Sequence, residues 1–522
     1  MKKTTIIICF FCLLNLSCKK FLAETSQNKA YVQTATDLQE LLIGSGYMEY
    51  ISNTNPTAYF SLSYGTGTSS DVYFPYLDVL NDDAEEFVSG NQQNATSNSL
   101  PRNVLSGFHR WQQDPLFNTA GVQIYDYNWT RMYQRIAALN AIIYKARDLK
   151  GSDDQQILNR VEGEALFLRA GYYFFLVNLY GMPYNKATAS TDAGVPLKIS
   201  ESISDKYYSR DAVGKVYDQI LTDLNQSSEL LAGTTQPNIY RVRQAAAFAM
   251  LSRVNLYMEN YQAAVDAADK VLAAGYSLTD LNSYVAGTSF SSPQSPENIF
   301  SQGSYLTYDV FVDESSGFNN SYKASPDLLS SFASTDLRLQ AFFNPSSTSK
   351  QLIPTKSRTA AADAAAFTPI SSYFLLRLSE VILNKAEAQA LLGNDAGAQT
   401  SVQSLRSKRF KPADLTTITF SGRDLVDFIR EERRRELCFE GQRWFDLRRY
   451  AVNSKYPFTK SITHKYFLYS STASSVVASG AYVLKPYPED VNAYMTPIPV
   501  SAIQFNQGAL VNFDRPARPI TP

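Results

Sequence analysis

The sequence predicts a mainly α fold: helix pairs forming an α-superhelical scaffold, with loop-rich insertions and a few short β-hairpins. Three observations predict it. Apolar residues recur at helical spacing through several long segments, two helix–turn–helix segments share a spacing of small residues, and polar stretches separate the periodic runs.

The elements follow in chain order. Trp129, Tyr133, Ile136, Leu139, Ile143 and Ala146 mark one helix. Val161, Ala165, Leu168, Tyr172, Phe175, Leu176 and Leu179 mark a longer one that should close near Gly181 and Pro183. Val213, Val216, Tyr217, Ile220, Leu221 and Leu224 mark a third. Between such runs, the stretches 91–102, 283–296, 344–368 and 470–480 are rich in Ser, Thr, Asn, Gly and Pro, and read as loops or small hairpins. Connections this long in a compact body tend to carry function.

Two segments carry a packing signature. In 245–274, Ser252 and Ala264 flank a turn at Glu259-Asn260-Tyr261; in 378–406, Ala386 and Ala398 flank a turn at Gly393-Asn394. Each pair is twelve residues apart, where small side chains let two antiparallel helices approach closely. The pattern resembles the tetratricopeptide helix pair, with Asn255 and Gln389 standing where that repeat has a late aromatic.

The densest motif is SGRDLVDFIREERRRELCFEGQRWFDLRR, residues 421–449. Ser421 and Asp424 have capping-box spacing, and Gly441 is expected to end the helix. Glu436 and Glu440 lie four apart on one helical face, whereas a glycosidase pair faces its bond from opposite sides. The interleaved arginines supply the plainer reading, an internal ion-pair network.

Composition narrows the function. With 48 Lys+Arg against 49 Asp+Glu, the chain lacks the basic excess that nucleic acid requires. Two histidines, His109 and His464, stand in unrelated contexts, so neither zinc nor His-based acid–base chemistry is indicated, and His109 reads as a hydrogen-bonded loop residue. No calcium-loop spacing appears, and no cofactor or metal is implied. Of four cysteines, Cys9, Cys12 and Cys18 sit in the first eighteen residues, which leaves Cys438 alone in the body and excludes a disulfide framework. Lys2-Lys3, the apolar run from Ile6 to Leu14, and Ser17-Cys18 resemble a bacterial lipoprotein signal, with Cys18 as the lipidated first residue. Cleavage there removes Lys2 and Lys3 and takes the balance to 46 against 49, or −3. No later apolar run approaches the length of a membrane span.

EERRRELCFEGQRWFDLRRY resembles the hallmark of the SusD/RagB family of outer-membrane nutrient-binding lipoproteins. WTRMYQRIAALNAII, GEALFLRAGYYFFLVNLYGMP, VYDQILTDLNQSSELL, AAAFAMLSRVNLYMENYQAAVDAADKVL and YFLLRLSEVILNKAEAQALLG are similar to family segments in the family's order, as is the closing MTPIPVSAIQFNQG. The likeness runs from about Cys18 to Phe513, with two departures. Asn506-Gln507-Gly508 replaces the usual Asn-Pro-Gly, and Lys19-Lys20-Phe21 follow Cys18 where acidic residues are usual. It implies residues 1–17 as signal peptide, 18–235 as a SusD-like N-terminal region and 236–522 as the RagB/SusD C-terminal region, in one compact body. It further implies a non-enzymatic, surface-exposed outer-membrane lipoprotein. Such a protein binds an oligosaccharide, polysaccharide or other nutrient and delivers it to a SusC-like TonB-dependent transporter. A surface glycan-degrading enzyme and a protein-binding helical scaffold are the alternatives.

Sugars bind by stacking C–H faces on aromatic rings while polar side chains order the hydroxyls, and that requires no fixed spacing. Aromatics on polar insertions are therefore the expected contacts: Tyr64 and Tyr73 in SLSYGTGTSSDVYF, and Trp111 in GFHRWQQD. Asp71 and Asn91 to Asn94 are the expected polar partners, and Trp129 and Trp444 are assigned to packing.

Overall fold

A computed structural model describes residues 32–48, 62–63, 73–88, 101–118, 121–202, 206–286, 288–303, 310–311, 321–345, 350–356 and 370–522. In chain order the first part runs α1 (Ala35–Leu41), β1 (Leu62–Ser63), β2 (Ala84–Phe87), α2 (Pro101–His109), β3 (Tyr125–Asp126), α3 (Asn128–Asp148), α4 (Gln155–Tyr180), α5 (Val213–Leu230), α6 (Gln244–Tyr257) and α7 (Tyr261–Leu272). The second part runs β4 (Asn298–Ser301), β5 (Ser321–Ala324), α8 (Pro326–Ser330), α9 (Arg338–Phe342), β6 (Phe343–Pro345), β7 (Leu352–Pro354), β8 (Leu375–Arg377), α10 (Leu378–Leu391) and α11 (Asp395–Arg406). It closes with α12 (Gly422–Leu437), α13 (Arg443–Ala451), β9 (Ile462–Ser470), β10 (Ser475–Leu484) and α14 (Val500–Phe505).

Helices dominate, and they stack in sequence. α3 packs on α4, α4 on α5, α5 on α6, α6 on α7, and α10 on α7, α11 and α12. α4 is buried on every side from Val161 to Ala170 and from Tyr172 to Tyr180, with its charged Glu162, Glu164 and Arg169 paired to Arg147, Arg241 and Asp223. It starts at Asp154, whose carboxylate accepts from the Gln156 and Ile157 N–H groups, and it ends at Gly181 as the spacing predicts. Ser252, Ala264, Ala386 and Ala398 are all fully buried, which bears out small residues at the crossings of α6–α7 and α10–α11. Asn255, in place of an aromatic, turns back and donates to the Leu251 carbonyl.

The strands form five antiparallel pairs among the described residues: β1–β3, β2–β5, β4–β8, β6–β7 and β9–β10. The polar stretch 470–480 is the turn and bulged second strand of the β9–β10 hairpin, with the register slipping between Ala478 and Ala481.

α12 differs from expectation at both ends. The capping box does not form: Ser421 makes no side-chain cap, and instead Gly422, at φ +54°, donates its N–H to Asp395. The helix stops at Leu437, before Gly441, because its last carbonyls find side-chain donors there. Lys356 donates to the Glu436 and Cys438 carbonyls, and Arg377 also donates to that of Glu436. Gly441, at φ +69°, then turns the chain into α13, where a Cβ would stand 2.8 Å from the Tyr373 ring.

The buried charges of this motif are sorted into three networks. Glu432, Glu436 and Glu440 meet Arg338, Arg377, Arg409 and Lys356. Arg433 and Arg449 share Asp446, while Arg430 and Arg449 share Glu387 on α10. Arg434 and Arg443 grip Asp82 and Asp83 just before β2. α12 and α13 thus bolt the N-terminal half to the later helix pair.

Candidate functional site

The segment that follows α2 builds a groove. Gly107 lets the chain fold back against its own helix, since a Cβ there would lie 2.3 Å from the Pro115 carbonyl oxygen. Trp111 takes the left-handed region at φ +48° and turns inward. Its indole N–H donates to the Leu80 carbonyl at 2.8 Å, and its ring stacks on His464 at 4.2 Å. His464 in turn stacks on His109 at 3.8 Å.

With Trp111 drawn inward, Gln113 and Asp114 after it are exposed. Arg110, Gln112, Gln113, Asp114, Phe117 and Asn118 line one side of a groove of about 620 Å³; Tyr482, Ala517, Arg518 and Pro519 line the other. The C-terminal segment is held there because Ala481 and Thr521 exchange both backbone hydrogen bonds. Phe117 is 40% exposed and offers a ring.

The charges of the groove are fixed. Arg110 donates to Glu86 through Nε at 3.0 Å and Nη2 at 2.7 Å, and its guanidinium lies 4.7 Å from the Tyr466 ring centre and 5.5 Å from that of Tyr482. Burial pushes the Glu86 carboxyl up, but Arg110 and Arg102 outweigh it and hold the group below the usual range. Arg518 pairs with Asp490 at 2.7 Å. Gln112 spends its N–H donors on the Arg110 and Arg518 carbonyls. Asp114 caps Leu116 through one carboxylate oxygen, and Gln113 is exposed. The lining joins ring faces with amide and carboxylate groups, the mixture that a pyranose needs.

Among the groove's lining residues Asp114 is the one carboxylate, where a glycosidase uses two. Glu436 and Glu440 are buried and fully engaged with cations. Burial pushes Glu436 up, but Arg409 and Arg377 hold it well below the carboxylate range. Among the described residues no three His, Cys, Asp or Glu side chains gather as a metal site.

The expected contacts separate on this geometry. Trp111 is 0% exposed and presents no face to a sugar, because the indole N–H finds its acceptor inside. Tyr73 is 5% exposed; its hydroxyl accepts from Arg135 at 2.8 Å and 3.0 Å, and its ring meets Phe374 edge-on at 6.2 Å. Tyr73 is therefore an anchor for its segment. Tyr64, Asp71, Asn91 to Asn94 and Cys18 lie outside the described residues. His109 ends α2 instead of standing in a loop, buried with its Nδ1 at 2.9 Å from the Val79 carbonyl. Trp444 packs as expected, stacked on Tyr494 at 5.3 Å. Gln112, Gln113 and Phe117 were within reach of the sequence, two of them in the same GFHRWQQD segment. Tyr482 carried no signal, since its place depends on a hairpin meeting the chain's end.

Comparison with known proteins settles the family. A family model described as starch-binding and associating with the outer membrane matches residues 76–256. The SusD family model matches residues 343–513. The chain belongs to the SusD family. A SusD-like protein of Formosa agariphila is 24% identical over 387 residues, spanning 63% of this chain and 72% of that one. The fold is that of a SusD superfamily protein from Bacteroides thetaiotaomicron, with TM-score 0.65 and 24% identity over 92% of this chain and 99% of the other. A SusD-like carbohydrate binding protein from Bacteroides vulgatus matches with TM-score 0.61 and 18% identity, over 93% and 98% of the two chains. The SusD family is associated with the outer membrane, and no described helix here is long and apolar enough to cross one.

Proposed function

We propose that this SusD-family protein binds a saccharide in the groove between the 110–118 segment and the C-terminal segment. It then passes the saccharide to a SusC-like TonB-dependent transporter in the outer membrane. The observation that carries the reading is the lining: the exposed Phe117 ring and Tyr482 stand beside Gln112, Gln113 and Asp114, with no second acid to cleave what binds. The protein acts by binding and release, not turnover. Cys18 is the proposed lipid anchor, and Tyr64 and Asp71 stay in the proposal as further contacts. The structures matched over most of both chains include a SusD-like carbohydrate binding protein, which supports a saccharide as cargo.

Titration calorimetry against a glycan panel that includes maltooligosaccharides tests the binding. At least one oligosaccharide should bind saturably and weaken on Gln113→Ala or Tyr482→Ala at unchanged thermal stability. No binding across the panel by folded protein would refute it. Affinity purification from detergent-solubilised outer membranes should bring along a TonB-dependent barrel; its absence would remove the delivery step.

A further inference from the structure

A second cavity shares no lining residue with the groove. It lies between α3, the residues Pro196, Lys198 and Tyr208, and α14, and measures about 490 Å³, within the range of small-molecule sites. Trp129, Tyr133 and Pro196 line it, and Phe505 on its edge is 75% exposed.

Two of the polar side chains at this lining, Tyr133 and Asn506, are already committed. The Tyr133 hydroxyl donates to the Pro196 carbonyl at 2.7 Å. Asn506 accepts from the Tyr208 N–H at 2.8 Å and donates to the Ala502 carbonyl at 2.8 Å. An incoming molecule meets the Trp129 and Tyr133 rings, Pro196, Ala137 and Leu510 there, with Thr130, Gln134 and Ser501 as the exposed polar groups. Among the lining residues Lys198 is the one charged group. The ammonium groups of Lys198 and Lys206 lie 5.8 Å and 5.6 Å from the centre of the Tyr208 ring. Among the described residues neither has a carboxylate within ion-pair distance. Two like charges beside one ring at an apolar mouth repel each other and attract an anion.

We propose that this cavity binds a small amphipathic carboxylic acid, its apolar body against Trp129, Tyr133 and Phe505 and its carboxylate between Lys198 and Lys206. The site is independent of the saccharide groove. It also explains why Trp129, which packing arguments alone assign to the core, stands at a cavity wall.

Titration calorimetry on the full-length protein tests the site with three probes: 4-phenylbutanoate, the neutral 4-phenylbutanol, and glucuronate as an acid without an apolar body. We expect 4-phenylbutanoate to bind roughly five- to tenfold more tightly than the alcohol, the size of one or two exposed charge contacts. That margin should vanish in Lys198→Gln/Lys206→Gln and shrink with added salt. Ala137 lines the cavity and is exposed, so Ala137→Trp should fill it, abolish binding and leave the unfolding temperature unchanged. Three results would overturn the proposal: equal affinity for acid and alcohol, glucuronate binding as tightly, or no effect of Ala137→Trp. Absence of 4-phenylbutanoate binding at millimolar concentration would overturn it too.

Discussion

Replacing Glu436 by Gln removes one negative charge and changes almost no volume. The carboxylate accepts from Arg377 at 2.7 Å and Arg409 at 2.8 Å through one oxygen, and from Arg409 at 2.9 Å and Arg338 at 3.2 Å through the other. A glutamine keeps one of these oxygens. Its amide nitrogen must then face a guanidinium that can only donate. The linked network holds six cations, Arg338, Arg377, Arg409, Lys356, Arg406 and Arg435, against five carboxylates, Glu297, Asp336, Glu432, Glu436 and Glu440. The substitution leaves four carboxylates for six cations in a site without solvent.

Breaking a buried pair from one side costs about 3–5 kcal/mol, and at least one charge-assisted hydrogen bond is lost with it. A chain of this length loses roughly 1 kcal/mol of stability per degree near its transition, so the melting temperature should fall by about 3–5 °C. Scanning calorimetry and urea unfolding monitored by circular dichroism would read the change. A loss below about 1 kcal/mol would refute the reasoning, because it would mean that the arginines do not need this charge. Oligosaccharide affinity of the folded fraction should stay unchanged, since the hub lies in the interior.

Four further outcomes follow from the same geometry. Trp111→Ala should lower stability by about 3–5 kcal/mol, as removal of a fully buried aromatic does; a wild-type urea midpoint would contradict the inward placement. Gly107→Ala should also destabilise, by at least about 1 kcal/mol in urea unfolding, because the Pro115 backbone has to move. Burial depresses the His464 ring to about 4, so the unfolded chain takes up its proton first; this stability is complete above pH 6.5 and is lost as pH falls towards 4, and in the Asp78→Asn background, which removes a buried carboxyl of opposite sign, the urea midpoint should be lower at pH 5 than at pH 7. Asp78 has the opposite sign: burial raises its carboxyl to about 7, so its contribution is complete below the unfolded value near 3.8 and is lost as pH rises through 7. Asp78→Asn should therefore gain stability over wild type at pH 8, by up to roughly 4 kcal/mol, with the gap closing towards pH 5.

The long helices were legible because their signal is local and redundant. Every third or fourth residue of Val161 to Leu179 reports the same face, and a single exception does not erase the period. The helix pairs were legible for a related reason: two small residues at fixed separation are demanded by the distance between two axes, as the burial of Ser252, Ala264, Ala386 and Ala398 bears out. The charge-rich motif could be read as an internal network because Arg and Glu alternate at helical spacing. Its partners Asp82, Glu297 and Arg338 could not be named, since they come from segments far along the chain.

The groove was harder for a physical reason. A ring on a polar insertion can point to solvent or to the core, and the choice rests on where its hydrogen-bond partner sits. Trp111 needs an acceptor for its N–H, and the Leu80 carbonyl, 31 residues away in sequence, provides one inside. Once that bond forms, the backbone at Trp111 reverses and carries Gln112 and Gln113 to the surface. The strongest aromatic signal in the segment and the surface contacts beside it are thus consequences of one bond, with the tryptophan as the anchor and the glutamines as the reach. Sequence reasoning expected the Trp111 ring at the surface and the structure buries it, because ring size reports the affinity of a residue for any apolar surface, the protein's own core included. The same logic separates Trp129 from Trp444: both lie on helices, but only Trp129 has a helix neighbour, α14, that leaves a gap beside it.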